Sequence, residues 1–231
     1  MGQRKASDAS AFIKYLTENT NGEMARLPSL PEISKEIGLS VPTLREQMEV
    51  ARVMGFIEAK PRMGIRRLPY NFRPAVLQSV LFAISTQPEC FEYFADRRSH
   101  IESSYFIEAA GALRVEDLKK LSGLVYSAKT KLTKEPITIP HQEHRDLHLI
   151  IYSRLGNIFV SGILEAYWDA YESIGLDIYA DINYLNQVWG YHERIVNALI
   201  DNKIIDAHQY LIEHMGLLDK RPKQISRQRF E

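Results

Sequence analysis

The sequence of 231 residues has very little cysteine and no long apolar run. Its one cysteine, Cys90, excludes an internal disulfide and fits a reducing cytoplasm. No apolar stretch reaches the roughly 20 residues that a membrane-spanning helix needs, and the N-terminal residues lack the apolar core of a signal peptide. Hydrophobic residues make up 45% of the chain and charged residues 25%, which are ordinary values for a globular protein. We therefore expect a soluble cytoplasmic protein of one or two domains without a membrane partner.

Net charge is absent as well, but the charges that cancel are unevenly distributed. Lys and Arg outnumber Asp and Glu by 11 to 8 in residues 1–70 and by 5 to 2 in residues 219–231. Residues 71–218 carry 13 positive and 19 negative side chains. A basic first segment and a basic tail thus flank an acidic body. This asymmetry weakly indicates contact with nucleic acid at the basic segments.

Periodicity and capping residues predict a winged helix-turn-helix at the start of the chain. Ser40 is a suitable N-cap for a helix that Gly55 ends. The second helix of such a motif enters the major groove of DNA, and phosphate contacts come from its flanks and from the wing. The same order of elements also occurs in modules that bind proteins. The predicted helices cover 9–20, 29–38 and 41–54, and the two strands of the wing cover 56–60 and 64–68.

A set of short motifs runs through this first segment. They are Leu27-Pro28-Ser29, Ile33, Ile37-Gly38, Ser40, Thr43-Leu44-Arg45-Glu46, Gly55-Phe56-Ile57 and Gly64. As a set they resemble the DNA-binding domain of the GntR family of bacterial transcription regulators. The resemblance implies that Ser40, Thr43 and Arg45 contact DNA at the start of the recognition helix, and that Gly64 lets the wing approach the minor groove.

Arginines flank the predicted turn of the wing. Arg62, Arg66 and Arg67 are expected to contact phosphates, although a solvated run of charge is the alternative for them. For Arg45 the alternative is an exposed ion pair with a neighbouring glutamate. The predicted DNA-binding residues are Ser29, Ser40, Thr43, Arg45, Arg62, Gly64 and Arg66.

The rest of the chain is predicted to be almost entirely helical, because Gly, Pro and Asn residues separate periodic segments. Seven helices are expected at about 74–86, 90–113, 115–130, 140–155, 158–174, 180–201 and 204–217. The predicted fold class is therefore mainly α, with a winged helix-turn-helix of three helices and a β-hairpin before an all-α bundle of six to seven helices. The predicted domains are 1–70 for DNA binding, 71–218 for the bundle and 219–231 for a basic tail.

Three spacings in the bundle resemble the FadR subgroup of the GntR family, whose second domain is the effector-binding FCD domain. An arginine stands four residues before a glutamate, a Gly-Asn pair follows a histidine, and two histidines are 22 residues apart. The residues that carry these spacings are Arg98 and Glu102, His148 with Gly156-Asn157, and His192 with His214.

The resemblance to FCD domains implies a metal site. The family ligands are an aspartate, a histidine four residues later and two distant histidines, and in this chain those positions are His144, His148, His192 and His214. A straight helix would separate His192 and His214 by about 33 Å. We therefore expect the chain to fold back at Asp201-Asn202. Imidazole ligands favour zinc, with nickel, copper or iron as other possibilities.

The aspartate position of the family is occupied here by His144. Either His144 is itself a ligand, or Asp146 or Glu143 supplies an oxygen. Residues i and i+4 share one face of a helix, whereas i and i+2 do not. The spacing therefore favours His144 beside His148 and points Asp146 away from them.

The resemblance further implies that the metal holds the carboxylate of a small organic acid. Arg98 is expected to bind this anion, because arginine pairs with carboxylates through two hydrogen bonds; an ion pair with Glu102 is the alternative. Asn157 is expected to line the pocket or, alternatively, to cap the following helix. We predict a transcription regulator, not an enzyme, that binds a palindromic operator as a homodimer. The alternatives are a metal-dependent enzyme built on the bundle and a regulator whose metal site is purely structural.

Overall fold

The computed structural model describes residues 10–19, 24–175 and 181–217. The predicted mainly α fold class is confirmed. The predicted basic tail, 219–231, lies outside the described residues. The helices of the described part are α1 (Ala11–Glu18), α2 (Leu30–Ile37), α3 (Val41–Val53), α4 (Arg73–Thr86), α5 (Cys90–Gly111), α6 (Val115–Thr133), α7 (His141–Tyr152), α8 (Ile158–Ser173), α9 (Ile182–Ile200) and α10 (Ile204–Met215), and its strands are β1 (Ile57–Lys60) and β2 (Gly64–Arg67). The chain forms two compact units, 1–78 and 79–231, whose division falls within α4.

The first unit is organised by a small core between α1, α2 and α3. Phe12, Ile33 and Leu44 contribute one fully buried side chain from each of these helices. Gly38 ends α2 in the left-handed conformation with φ of 71°, and the chain re-enters helix at Ser40, whose hydroxyl accepts a hydrogen bond from the N–H of Thr43. This tight connection produces the helix-turn-helix that the capping residues predict.

The wing is an antiparallel pair of strands reinforced by a third segment. Lys60 lies opposite Gly64 where β1 turns into β2. Residues 24–27 run along the free edge of β2, since the N–H of Leu27 donates to the carbonyl of Ile65 at 2.9 Å. Gly64 adopts a φ of 77°, and a Cβ at this position would lie 3.1 Å from Nε of Arg26. Glycine is therefore favoured here by its backbone conformation, and a side chain at this position would require Arg26 to shift by a few tenths of an ångström.

The second unit is a helical bundle with one extended apolar core. Leu121, Leu147, Ile151 and Leu211 are fully buried in that core. Helices α9 and α10 form an antiparallel pair, because the three-residue connection after α9 reverses the chain with Asn202 at a φ of 58°. Among the described helices, none combines the length and the apolar character required to cross a bilayer.

We expect Gly64→Ala to loosen the wing, because a non-glycine residue in the left-handed region costs about 1–2 kcal/mol. Hydrogen exchange of the amide of Leu27, which bonds across to β2, should accelerate by roughly five-fold or more. Gly123→Ala is the matched control, since this glycine lies in α6 with open space around it. Unchanged exchange in Gly64→Ala would contradict the role assigned to this glycine.

Candidate metal centre and nucleic-acid interface

Four histidines from three helices of the bundle converge on one point. His144 and His148 come from α7, His192 from α9 and His214 from α10. One nitrogen from each ring can be chosen so that all four lie within 4.8 Å of one another. The structure thus brings together the whole set of residues that the sequence singles out as metal ligands.

Helix geometry explains why these positions meet. His144 and His148 are one turn apart on the same face of α7, with ring centroids 5.2 Å apart. The reversal between α9 and α10 places His192 and His214 side by side, with ring centroids 4.4 Å apart. The predicted break at Asp201-Asn202 is therefore the feature that brings together two histidines separated by 22 residues.

The donor set fits a transition metal such as zinc. The Nε2 atoms of His192 and His214 are 3.2 Å apart, and two nitrogens bound to zinc at about 2.0–2.1 Å with angles of about 90–110° are separated by about 2.8–3.4 Å. The Nδ1 atoms of both rings are buried and have no hydrogen-bond partner among the described residues. These nitrogens retain unused capacity for binding an ion or a ligand.

Burial favours the neutral form of the three buried histidines of the cluster, His148, His192 and His214. The rings of Trp168 and Trp189 enclose it, with centroids 4.7 Å from those of His144 and His192 respectively. Desolvation, reinforced by His148 and Arg98, holds the pKa of His192 and that of His214 well below the ordinary value, although Glu102 acts against it at His214. Neutral imidazole is the form that binds metal, so the enclosure favours coordination at neutral pH.

A buried ion pair lies directly against the cluster. Arg98 donates from Nε and one terminal nitrogen to the two carboxylate oxygens of Glu102, at 2.9 and 3.2 Å. Nδ1 of His148 lies 3.0 Å from the same carboxylate. Burial disfavours the charged carboxylate, but the attraction of Arg98 and His148 is stronger and lowers the pKa of Glu102 to about 2. Arg98 therefore forms the ion pair with Glu102 that was its alternative role. It also lies next to the histidines, where anion binding is expected.

Two other carboxylates on α7 interact with residues outside the cluster. Glu143 accepts a hydrogen bond from Ser127 and pairs with Lys131. Asp146 accepts a hydrogen bond from Gln142 on the exposed side of α7. Neither belongs to the group of convergent ligand atoms, which contains His144 as the helix spacing favours.

Asn157 lies at the start of α8, where its side-chain oxygen accepts hydrogen bonds from the N–H groups of Phe159 and Val160. It therefore serves as the helix cap that the sequence offers as an alternative role. A cavity of about 400 Å³ between α7 and α8 includes neither Asn157 nor any histidine of the cluster; it is lined by Asp146, Leu149, Ile150, Tyr152, Ser153, Ser161, Leu164 and Glu165.

The first unit presents the predicted DNA-binding residues at the start of α3 and before α2. Arg45 is exposed in the second turn of α3. The hydroxyls of Ser40 and Thr43 are 2.9 Å apart within the cap of that helix. Ser29 bonds Glu32 through its N–H and its hydroxyl, forming the cap of α2. The two serines thus set the ends of the helices, and Arg45 projects from the helix that they orient.

The wing brings several arginines together around its turn. Arg62 is exposed at the turn with a φ of 67°, and Arg66 lies on β2, where its Nε has no hydrogen-bond partner among the described residues. The guanidinium group of Arg26 lies beside Gly64. Sequence reasoning missed Arg26, because only the pairing of residues 24–27 with β2 carries it to the wing.

Three residues next to the histidine cluster are not linked to it by any sequence motif. Glu102 is noted in the sequence only as a partner for Arg98, and its contact with His148 joins helices α5 and α7. Trp168 and Trp189 are identifiable as core aromatics, and the histidine contacts are visible only once α8 and α9 are packed. The rarity of tryptophan, with two in the chain, is the one signal that could have drawn attention to them.

Comparison with protein families finds one match, to the family described as FCD domain, over residues 94–217. This segment is more than half of the chain and contains all four histidines. A comparison with curated proteins finds no match.

Comparison with solved structures finds several similar chains. The Streptococcus agalactiae GntR structure aligns with 90% of this chain and 95% of its own, at 15% identity and a TM-score of 0.65. E. coli McbR/YncC aligns with 91% of this chain and 98% of its own, at 15% identity and a TM-score of 0.49. The first of these similarities establishes that both parts of the chain share the fold of that protein.

We expect about one zinc or similar ion per chain when the protein is purified without affinity-tag metal or chelator and measured by elemental mass spectrometry. His192→Ala should remove most of this metal, because it deletes a ligand at the centre of the cluster. It should also abolish the rise in melting temperature on adding metal, which stabilises only a folded state that binds it.

His141→Ala is the matched control, since His141 is exposed at the start of the same helix as two of the ligands. It should retain both the metal and the thermal shift. Circular dichroism checks that His192→Ala is still helical. Equal metal content in a folded His192→Ala variant, or no metal in the wild type after loading, would contradict the assignment.

Proposed function

The chain belongs to the FCD domain family, and from that premise we propose that it is a transcription regulator of the GntR type that binds operator DNA with its winged helix and a small organic acid at the metal of its bundle. One observation carries the proposal: an FCD domain with four convergent histidines is joined to a helix-turn-helix with exposed arginines. The predicted FCD domain is confirmed, and the assignment to the FadR subgroup stays a prediction. The expectation that the chain is not an enzyme is also confirmed, because the family and the similar structures are regulators.

Recognition of DNA rests on α3 and the wing. Arg45 is exposed near the N-terminus of α3, the end of a recognition helix that contacts base edges. Arginine at such a position reads guanine through two hydrogen bonds. Arg26, Arg62 and Arg66 around the wing supply positive charge for phosphates. Because a palindromic operator mirrors a two-fold protein, the functional species is a homodimer.

Recognition of the effector rests on the histidine cluster. Four neutral imidazoles leave the positive charge of a bound metal ion uncompensated, and a carboxylate is a natural further ligand. Arg98 borders the cluster, with a terminal nitrogen 3.1 Å from Nδ1 of His148, and its charge is offset by Glu102, so the bound metal is the main attraction for an anion. The effector would act on DNA binding through the difference in its affinity for the DNA-competent and DNA-incompetent states.

Arg45→Ala should weaken operator binding by about 5- to 150-fold, since one bidentate base contact contributes about 1–3 kcal/mol. The operator is first selected from a randomised duplex pool, and affinity is then measured by fluorescence anisotropy at fixed salt concentration. Arg52→Ala is the control, because it removes the same charge from the far end of α3, where Arg52 pairs with Glu49. Equal affinities for the two variants would refute the proposed docking of α3.

A small carboxylate should change the operator affinity of the metal-loaded wild type and leave that of His192→Ala unchanged. The measurement is the anisotropy titration repeated across a panel of organic acids, with metal content determined on the same samples. A wild type whose affinity responds to no acid, while its metal is retained, would favour the alternative in which the metal is purely structural.

A further inference from the structure

We propose that the effector is a small dianion of the dicarboxylate class, because the metal-loaded site would carry two positive charges that no side chain among the described residues offsets. The inference rests on the proposed binding of an organic acid at the histidine cluster. The charges of the residues around the cluster restrict the expected effector from organic acids in general to dicarboxylates.

The charge count begins with the ligands. The convergent group consists of four imidazoles and, within the described residues, includes no carboxylate or thiolate. A histidine must be neutral to coordinate a metal. The ligands therefore leave the full charge of a divalent ion in place.

The charged side chains that contact the cluster, among the described residues, add no net charge. Arg98 and Glu102 lie against the cluster, and both are almost completely buried. They form a two-point ion pair with each other, so their charges cancel. Glu102 is occupied by Arg98 and His148 and is not free to compensate the metal as well.

The surroundings make this imbalance costly. His148, His192 and His214 are buried, and Trp168 and Trp189 form apolar walls around them. Uncompensated charge in such an environment is strongly disfavoured, because little solvent is present to screen it. A monocarboxylate would leave one positive charge, whereas a dicarboxylate would make the site neutral.

Hydrogen-bond donors next to the cluster suit a second acidic group. The indole N–H of Trp168 is buried without a hydrogen-bond partner among the described residues, and its ring centroid lies 5.3 Å from that of His148. The guanidinium carbon of Arg98 lies 4.9 Å from the centre of the Trp168 ring. One carboxylate can bind at the imidazole cluster while the indole N–H of Trp168 remains available to the other, and Arg98 stays paired with Glu102.

The test compares acids of matched length and different charge. Isothermal titration calorimetry on the zinc-loaded full-length chain at pH 7.5 would use butyrate against succinate and pentanoate against glutarate. We expect at least one dicarboxylate to bind about ten-fold or more tightly than its monocarboxylate partner. Zinc content is measured on every sample, so that loss of metal is not mistaken for loss of selectivity.

His144→Asp tests the charge argument directly, because it adds an anionic group within the ligand set. Its preference for the dicarboxylate should fall by about ten-fold relative to the wild type. His141→Asp adds the same charge at an exposed position on the same helix and should keep the wild-type preference. If His144→Asp does not retain zinc, the comparison of acids on the wild type decides alone.

Two results would overturn the inference in distinguishable ways. Binding of monocarboxylates as tightly as dicarboxylates would refute the dianion and leave the carboxylate effector standing. Zinc-loaded wild type that binds none of the four acids would refute the dianion and count against the proposed effector class as well.

Discussion

The ion pair between Arg98 and Glu102 is the constraint on which the arrangement of the bundle interior depends. Two charges removed from water are tolerated only when their geometry and remaining hydrogen bonds are satisfied. Arg98 and Glu102 both lie on α5, and the residues that supply the further hydrogen bonds to Glu102 lie on α7. The carboxylate of Glu102 lies 3.0 Å from Nδ1 of His148, and its backbone carbonyl accepts a hydrogen bond from the hydroxyl of Tyr152 at 2.8 Å. Helix α5 is thereby held in register against α7. Since a second-shell carboxylate fixes the orientation of a ligating histidine, the pair also sets the ring on which the metal site is built.

Much of the fold and most of the candidate site could be predicted because the relevant information is local. Gly38, Ser40 and the Asp201-Asn202 break mark the ends of helices through their own backbone chemistry. The histidines were predictable from spacing together with the resemblance to FCD domains. What could not be predicted depends on packing between distant segments. An arginine four residues before a glutamate looks the same whether the pair is exposed or buried, so the burial of Arg98 was not foreseeable. Arg26 reaches the wing only through strand pairing.

The aromatic enclosure connects the chemistry of the ligands with the class of molecule that the site can select. Apolar walls keep imidazoles neutral and therefore ready to coordinate, and they also strengthen every charge interaction inside, because the local dielectric constant is low. Under the function that we propose, a site with nitrogen ligands alone would then discriminate between anions chiefly by charge. The DNA-recognition surface proposed for the first unit is instead exposed to solvent. Phosphate contacts at such a surface are numerous and individually weak, and they are sensitive to salt.

The reversal at Asn202 has a consequence for biosynthesis. The ligands are spread along the chain from His144 to His214, so the ribosome delivers them in sequence, with the pair on α7 first and the one on α10 last. A nascent chain that has not yet formed the α9–α10 turn offers an incomplete coordination shell. The metal site that we propose is consequently complete only after α10 has been synthesised and packed against α9.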